Sequence, residues 1–215
     1  MNLNKYIEHT LLKQDATKAE ITKLLEEAIQ YDFLGVCVNP CNVKYAKEYL
    51  KNSAVKVVTV IGFPLGQNTK EVKILETIDA IKNGADEIDM VINVGLLKDK
   101  AYGAIVDEIS AIKGACQGHN LKVILETDLL TQDEIKKACE LCIEAKADLV
   151  KTSTGFVKNG VGAKAEDVAL MFNTVKDAGM QVKASGGIRD KEAALKMIEA
   201  GATRLGTSSG VKIIG

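Results

Sequence analysis

Three charged residues stand inside runs that otherwise look buried. Asp89 lies within EIDMVI, Lys151 sits near the end of DLVKT, and Lys183 lies within QVKAS. Alternation with period two puts Glu87, Asp89 and Val91 on one face, Leu149 with Lys151 on another, and Gln181 with Lys183 on a third. A buried ammonium or carboxylate is costly unless paired, so such groups normally have a partner or a shifted pKa. If these faces turn inward, two lysines and a carboxylate converge. That trio could move protons, and an amine relieved of its proton could attack a carbonyl. A single lysine near a strand end is more often a solvated side chain, and Asp89 could be no more than a counter-ion. Two lysines late in neighbouring strands are harder to explain that way.

Two small-residue loops lie close by in sequence. Ser185-Gly186-Gly187 follows QVKAS, and Gly206-Thr207-Ser208-Ser209-Gly210 ends the run TRLGT and continues past it. Small residues let backbone N–H groups approach phosphate oxygens, and serine hydroxyls add donors. Either loop alone suits an ordinary turn; together they mark Gly186, Gly187, Ser208 and Ser209 as a phosphate site. Arg189 and Arg204 are expected at the surface. Cys139 and Cys142 form a C-x-x-C, but Ile135, Ala138, Cys139, Cys142 and Ile143 share one helical face, which favours core packing. With no second cysteine pair and with His9 and His119 isolated, no metal site and no cofactor are expected.

The elements that must position these residues alternate along the chain. Strand candidates are 6–10, 33–38, 55–61, 87–92, 121–126, 148–152, 181–185 and 203–207, short and rich in Val and Ile. Between them lie segments of helical period. Thr17-x-x-Glu20 forms a capping-box signature before Ile21, Leu24, Leu25, Ala28 and Ile29, and Thr131-x-x-Glu134 repeats it. Val168, Met171, Phe172 and Val175 form a later apolar stripe. A helix-turn-strand unit recurs in NGADEIDMV, EAKADLVKT, DAGMQVKAS and EAGATRLGT, with Gly84, Gly179 and Gly201 suited to closing helices. Eight strands alternating with helices predict one α/β domain over residues 1–215, a TIM-type (β/α)8 barrel with a short first strand. An open doubly wound sheet fits less well, because no G-x-G-x-x-G follows an early strand. In such a barrel the site lies at the C-terminal strand ends and phosphate at the loops after strands 7 and 8, where the residues above fall.

Composition narrows the function further. The 215 residues are 47% hydrophobic, with 28 basic against 29 acidic side chains. That balance argues against nucleic acid or a membrane surface as the main partner. No apolar run approaches the roughly 20 residues of a membrane span. Without an apolar signal core in MNLNKYIEHTLL, and with five cysteines that do not suggest a disulfide framework, a cytoplasmic protein is expected. Exposed barrel helices suit a homo-oligomer, a dimer or a tetramer.

The segments IEHTLLKQDAT, VCVNP, TVIGFPLG, EIDMVINVG, KVILET, KTSTGF, KASGGIR and GTSSG resemble those of 2-deoxyribose-5-phosphate aldolases, in family order across nearly the whole chain. KTSTGF and KASGGIR together are specific; GTSSG or GFPLG alone would be weak. The resemblance implies that Lys151 forms an imine and that Asp89 and Lys183 transfer protons. It further implies reversible cleavage of deoxyribose 5-phosphate to acetaldehyde and glyceraldehyde 3-phosphate, in the catabolism of deoxynucleosides. Thr154, after strand 6, is then placed to contact substrate, and Cys37, late in strand 2, either lines the acceptor end or packs in the core. Glu8 departs from the pattern, which has Asp before His9. Competing readings are another Schiff-base sugar aldolase or a transaldolase-like enzyme, an isomerase with Asp89 as base, and a catalytically silent sugar-phosphate binder.

Overall fold

The computed structural model describes residues 2–215. Its centre is a closed barrel of eight parallel strands in chain order. These are β1 (Ile7–Leu11), β2 (Gly35–Val38), β3 (Lys56–Ile61), β4 (Glu87–Val91), β5 (Asn120–Ile124), β6 (Leu149–Lys151), β7 (Gln181–Ser185) and β8 (Arg204–Thr207). Around it run α1 (Lys18–Gln30), α2 (Val43–Tyr49), α3 (Lys70–Lys82), α4 (Val94–Lys98), α5 (Tyr102–Ala115), α6 (Gln132–Glu144), α7 (Ala165–Val175), α8 (Lys191–Glu199) and α9 (Gly210–Ile214). Pairing of Ile7 with Leu205, Glu8 with Gly206 and His9 with Thr207 closes the sheet, so no strand edge is left open. β1, expected to be short, has five residues. The shortest strand is β6, with three, because the chain leaves the ladder after Lys151 to begin a loop.

Strands covered on both faces read as nearly continuous apolar runs. Their outward residues, among them Val36, Val57, Ile88, Met90, Val123, Val150, Val182 and Leu205, join the helices in one large core. Inside the barrel the apolar part is small: Leu12, Cys37, Val58 and Val60 pack together, with Phe63 against them. The rest of the interior is ionic, and that division places the site.

The helices follow their sequence signals. Thr17 and Glu20 form a capping box on α1, and Thr131 and Glu134 another on α6, satisfying first-turn N–H groups. α1 buries Ile21, Leu24, Leu25 and Ala28. Ile29, expected on that face, falls at its margin and is 45% exposed. Cys139 and Cys142 are fully buried in the core, where burial raises the Cys139 thiol to about 12. Gly84 and Gly201 end their helices with φ of +103° and +110°.

Candidate active site

The inward positions of β1, β4, β5, β6 and β7 carry Glu8, Glu87, Asp89, Lys122, Lys151 and Lys183, all buried. The register sets Asp89 beside Lys122 and Lys151 beside Lys183. Asp89 is the hub. Its Oδ2 accepts from Lys151 Nζ and from Lys183 Nζ, each at 2.7 Å, and its Oδ1 accepts from Lys122 Nζ at 2.9 Å. Lys183 also donates to Glu8 across the β1–β8 seam. Lys122 lies 2.6 Å from Glu87 and 3.6 Å from Glu8. Arg204 completes the far end of the cluster, 3.7 Å from Glu87 and 4.0 Å from Glu8. Gly206 makes room for the Lys183 stem: a Cβ there would lie 3.0 Å from Lys183 Cε.

Three carboxylates (Glu8, Glu87, Asp89) thus face four enclosed or nearly enclosed cations (Lys122, Lys151, Lys183, Arg204). Positive charge is in excess, the more so because the half-exposed Lys56 also donates to Glu87 at 2.6 Å. Lys151 has a single carboxylate partner, shares that oxygen with Lys183, and alone among the three lysines borders the open cavity. It is therefore the one of the three placed to meet a molecule in the cavity.

The surrounding charges oppose the cost of burial. Burial raises the Asp89 carboxyl, but the ammonium groups of Lys122, Lys151 and Lys183 hold it well below the usual range. Burial lowers Lys183, but Asp89 and Glu8 drive it above the ordinary lysine value. Glu87, pushed up by burial, is brought down to about 2 by Lys122 and Lys56. A carboxyl whose folded pKa is depressed stabilises the fold above its unfolded pKa, and that stability is lost as pH falls through the folded value. The free energy of urea unfolding should fall by about 3 kcal/mol between about pH 5 and pH 2 from Glu87 alone. A flat profile there would contradict the depressed carboxyls.

Above the cluster opens a cavity of about 720 Å³ bordered by Lys151, Thr154, Gly186, Gly187, Arg189 and Ser208, and by the β1 loop at Lys13. Gly186 and Gly187 are consecutive left-handed residues, with φ of +84° and +75°. Thr154 is held by Glu126, which accepts its N–H at 3.1 Å and its hydroxyl. Glu126 is itself left-handed, with φ of +62°, and burial raises its carboxyl. Two expected site residues do not border this cavity. Cys37 is fully buried in the apolar part of the barrel, packed with Leu12, Val58 and Val60. Ser209 lies just behind the rim, its N–H donating to Thr207 Oγ1 at 2.9 Å. Arg204, expected at the surface, is drawn inward by Glu8 and Glu87; Arg189 is exposed as expected.

Lys122, Glu126 and the ionic role of Glu8 were not singled out from sequence. Lys122, in LKVILE, carries the same signal as Lys183, a charge inside an apolar strand. Among the described residues no group of three or more His, Cys, Asp or Glu side chains is placed to hold a metal ion.

A parallel barrel with a lysine at its mouth, a second lysine and a shared carboxylate below it, and a small-residue loop pair on the next two strands has the build of an imine-forming aldolase. The chain belongs to the DeoC/LacD family of aldolases, whose family model matches residues 4–214. It is 56% identical over 214 residues to the deoxyribose-phosphate aldolase of Finegoldia magna, covering 100% of this chain and 99% of that protein. Deoxyribose-phosphate aldolase 1 of Staphylococcus aureus is also 56% identical, over 100% of this chain and 96% of its own. Among solved structures, the deoxyribose phosphate aldolase of Aeropyrum pernix, described as a tetramer, superimposes with a TM-score of 0.91 at 36% identity, covering 99% of this chain and 89% of that one.

Proposed function

We propose that this barrel reversibly cleaves 2-deoxy-D-ribose 5-phosphate to acetaldehyde and D-glyceraldehyde 3-phosphate through an imine on Lys151. The observation that carries the reading is the shared Asp89 oxygen, 2.7 Å from both Lys151 and Lys183, directly beneath the cavity. A lysine attacks a carbonyl only as the neutral amine. Lys183, kept charged by Asp89 and Glu8, disfavours a second ammonium beside it and so favours neutral Lys151.

In the condensation direction, the Lys151 amine adds to the acetaldehyde carbon, and the carbinolamine loses water to give a protonated imine. Removal of a methyl proton gives the enamine, with the iminium nitrogen as electron sink. The enamine carbon bonds to the aldehyde carbon of glyceraldehyde 3-phosphate, whose oxygen takes up a proton. Water then releases deoxyribose 5-phosphate and restores the amine. Asp89 and Lys183 lie close enough to exchange these protons directly or through a water.

Gly186, Gly187, Ser208 and Ser209 are assigned to the phosphate, at the end of the sugar remote from the reacting carbons, where binding fixes register. Thr154 is assigned to contact with the bound sugar. Replacing Ser208 and Ser209 together by alanine should raise KM for deoxyribose 5-phosphate about tenfold or more while altering the kinetics of unphosphorylated deoxyribose less than about twofold. Equal losses for both sugars would remove the phosphate assignment.

The reading includes a cytoplasmic role in deoxynucleoside catabolism, with the barrel as one catalytic unit. No helix among the described residues is long and apolar enough to cross a membrane. Assembly into a dimer or tetramer is supported by the exposed apolar side chains of Val72, Leu75 and Ile78 along α3. The decisive test of mechanism is mass spectrometry after borohydride reduction with acetaldehyde or deoxyribose 5-phosphate present. A stable adduct on Lys151 is expected; none on the folded protein would favour an isomerase or a silent binder.

A further inference from the structure

The loop between β6 and α7 runs from Thr154, near Lys151, to Gly162, beside the Gly186–Gly187 turn. Both ends are tied to the short stretch Glu126–Leu129 that follows β5. Glu126 holds the near end through Thr154. At the far end the Asp128 carboxylate accepts the Val161 N–H at 3.2 Å and the Gly162 N–H at 2.8 Å. There the loop meets the turn backbone to backbone. The Ala163 N–H donates to the Gly186 carbonyl at 3.0 Å. A Cβ on Gly162 would lie 2.4 Å from the Gly186 carbonyl carbon, and one on Gly187 would lie 2.4 Å from the Val161 carbonyl oxygen. With contacts this close, residues 161–163 define the space available to the turn. Asp128 does not border the reaction cavity; it borders a separate recess of about 110 Å³ behind the turn.

We propose that Asp128 is a positioning residue for the phosphate end of the substrate, holding Val161 and Gly162 so that the Gly186–Gly187 turn keeps the shape that receives the anion. The inference rests on the phosphorylated-sugar reading given above. Two physical effects of Asp128 have opposite signs, which makes the idea testable. As a nearby negative charge it repels phosphate, so its removal by charge alone would tighten binding. As an acceptor that fixes the loop it pre-organises the donors, so its removal loosens binding.

The test compares kcat and KM of the full chain on deoxyribose 5-phosphate and on unphosphorylated deoxyribose, for the wild type, Asp128→Ala and Asp128→Asn. Asp128→Ala should raise KM for the phosphorylated sugar about tenfold, leave its kcat within about twofold, and leave deoxyribose kinetics within about twofold. Inorganic phosphate, as a competitive inhibitor, should weaken in parallel. Asp128→Asn keeps a carbonyl acceptor and should show a smaller rise, a rescue that loss of charge alone does not produce. A lowered or unchanged KM for the phosphorylated sugar in Asp128→Ala, or an equal rise for both sugars, overturns the proposal. The wild type separates the two levels of argument. If it treats both sugars alike, the phosphate reading itself fails and takes this role with it. A normal wild-type preference that persists in Asp128→Ala sinks the positioning role alone.

Discussion

Lys151→Ala is expected to lower kcat for aldol cleavage by at least about 10⁴-fold, because of the three lysines around Asp89 it alone borders the cavity. Lys122 and Lys183 are buried beneath the cavity and committed to carboxylates, so neither can substitute. The fold should survive. With Lys151 gone, Asp89 keeps Lys122 at 2.9 Å and Lys183 at 2.7 Å, so its charge stays paired. Melting should therefore remain cooperative, with near-native circular dichroism, while borohydride trapping disappears. Substantial turnover in this variant would end the Schiff-base assignment. Unfolding would show instead that the Lys151 side chain is structurally required.

Lys183→Leu combines a catalytic and a structural effect. Lys183 is buried between Asp89 and Glu8 and is the one group to join β4, β1 and β7 through charge. Its removal leaves Glu8 with Lys122 at 3.6 Å and Arg204 at 4.0 Å, neither within hydrogen-bond reach. Breaking a buried ion pair from one side typically costs about 3–5 kcal/mol, so a large fall in stability is expected. Catalysis should change in a diagnostic way. Without the neighbouring ammonium, the negative field of Asp89 falls on Lys151 and favours its protonated, unreactive form. The pH–rate profile for imine formation should move to higher pH, with activity partly recovered in alkaline buffer. A rate that is merely scaled down at every pH would assign Lys183 to structure and proton transfer alone. Lys183→Arg tests geometry, since a guanidinium keeps the charge but does not reproduce a point ammonium on two carboxylate oxygens.

The strands of the barrel were legible because their Val- and Ile-rich runs are short and separated by capped helices. Thr17 with Glu20 and Thr131 with Glu134 marked helix starts that the structure reproduces. Asp89, Lys151 and Lys183 stood out as charges where burial was expected, and the structure brings them together. Lys122 offered the same local signal, yet period two does not say which face of a strand looks inward when both faces are buried. The partnership of Glu8 with Lys183 spans 175 residues and exists only because β1 closes against β8. No local pattern contains it. Arg204 looked like a solvated residue at a strand start until that closure brought Glu8 and Glu87 to it. The ties from Glu126 and Asp128 to the β6 loop depend on Glu126 adopting a left-handed backbone just after β5, a conformation that non-glycine side chains seldom signal in advance.

The ionic interior also divides the chain in an asymmetric way. Its carboxylates, Glu8, Glu87 and Asp89, come from β1 and β4, whereas Lys122, Lys151, Lys183 and Arg204 come from β5 to β8. Cut between β4 and β5, the two halves would carry opposite charge on the surfaces that must face one another. Either half paired with a copy of itself would bring like charges together, with Lys56 beside Glu87 as the one counter-ion described in the first half, while the unlike halves would supply each other's partners. The interior thus carries a charge complementarity between half-barrels that favours unlike halves over like with like.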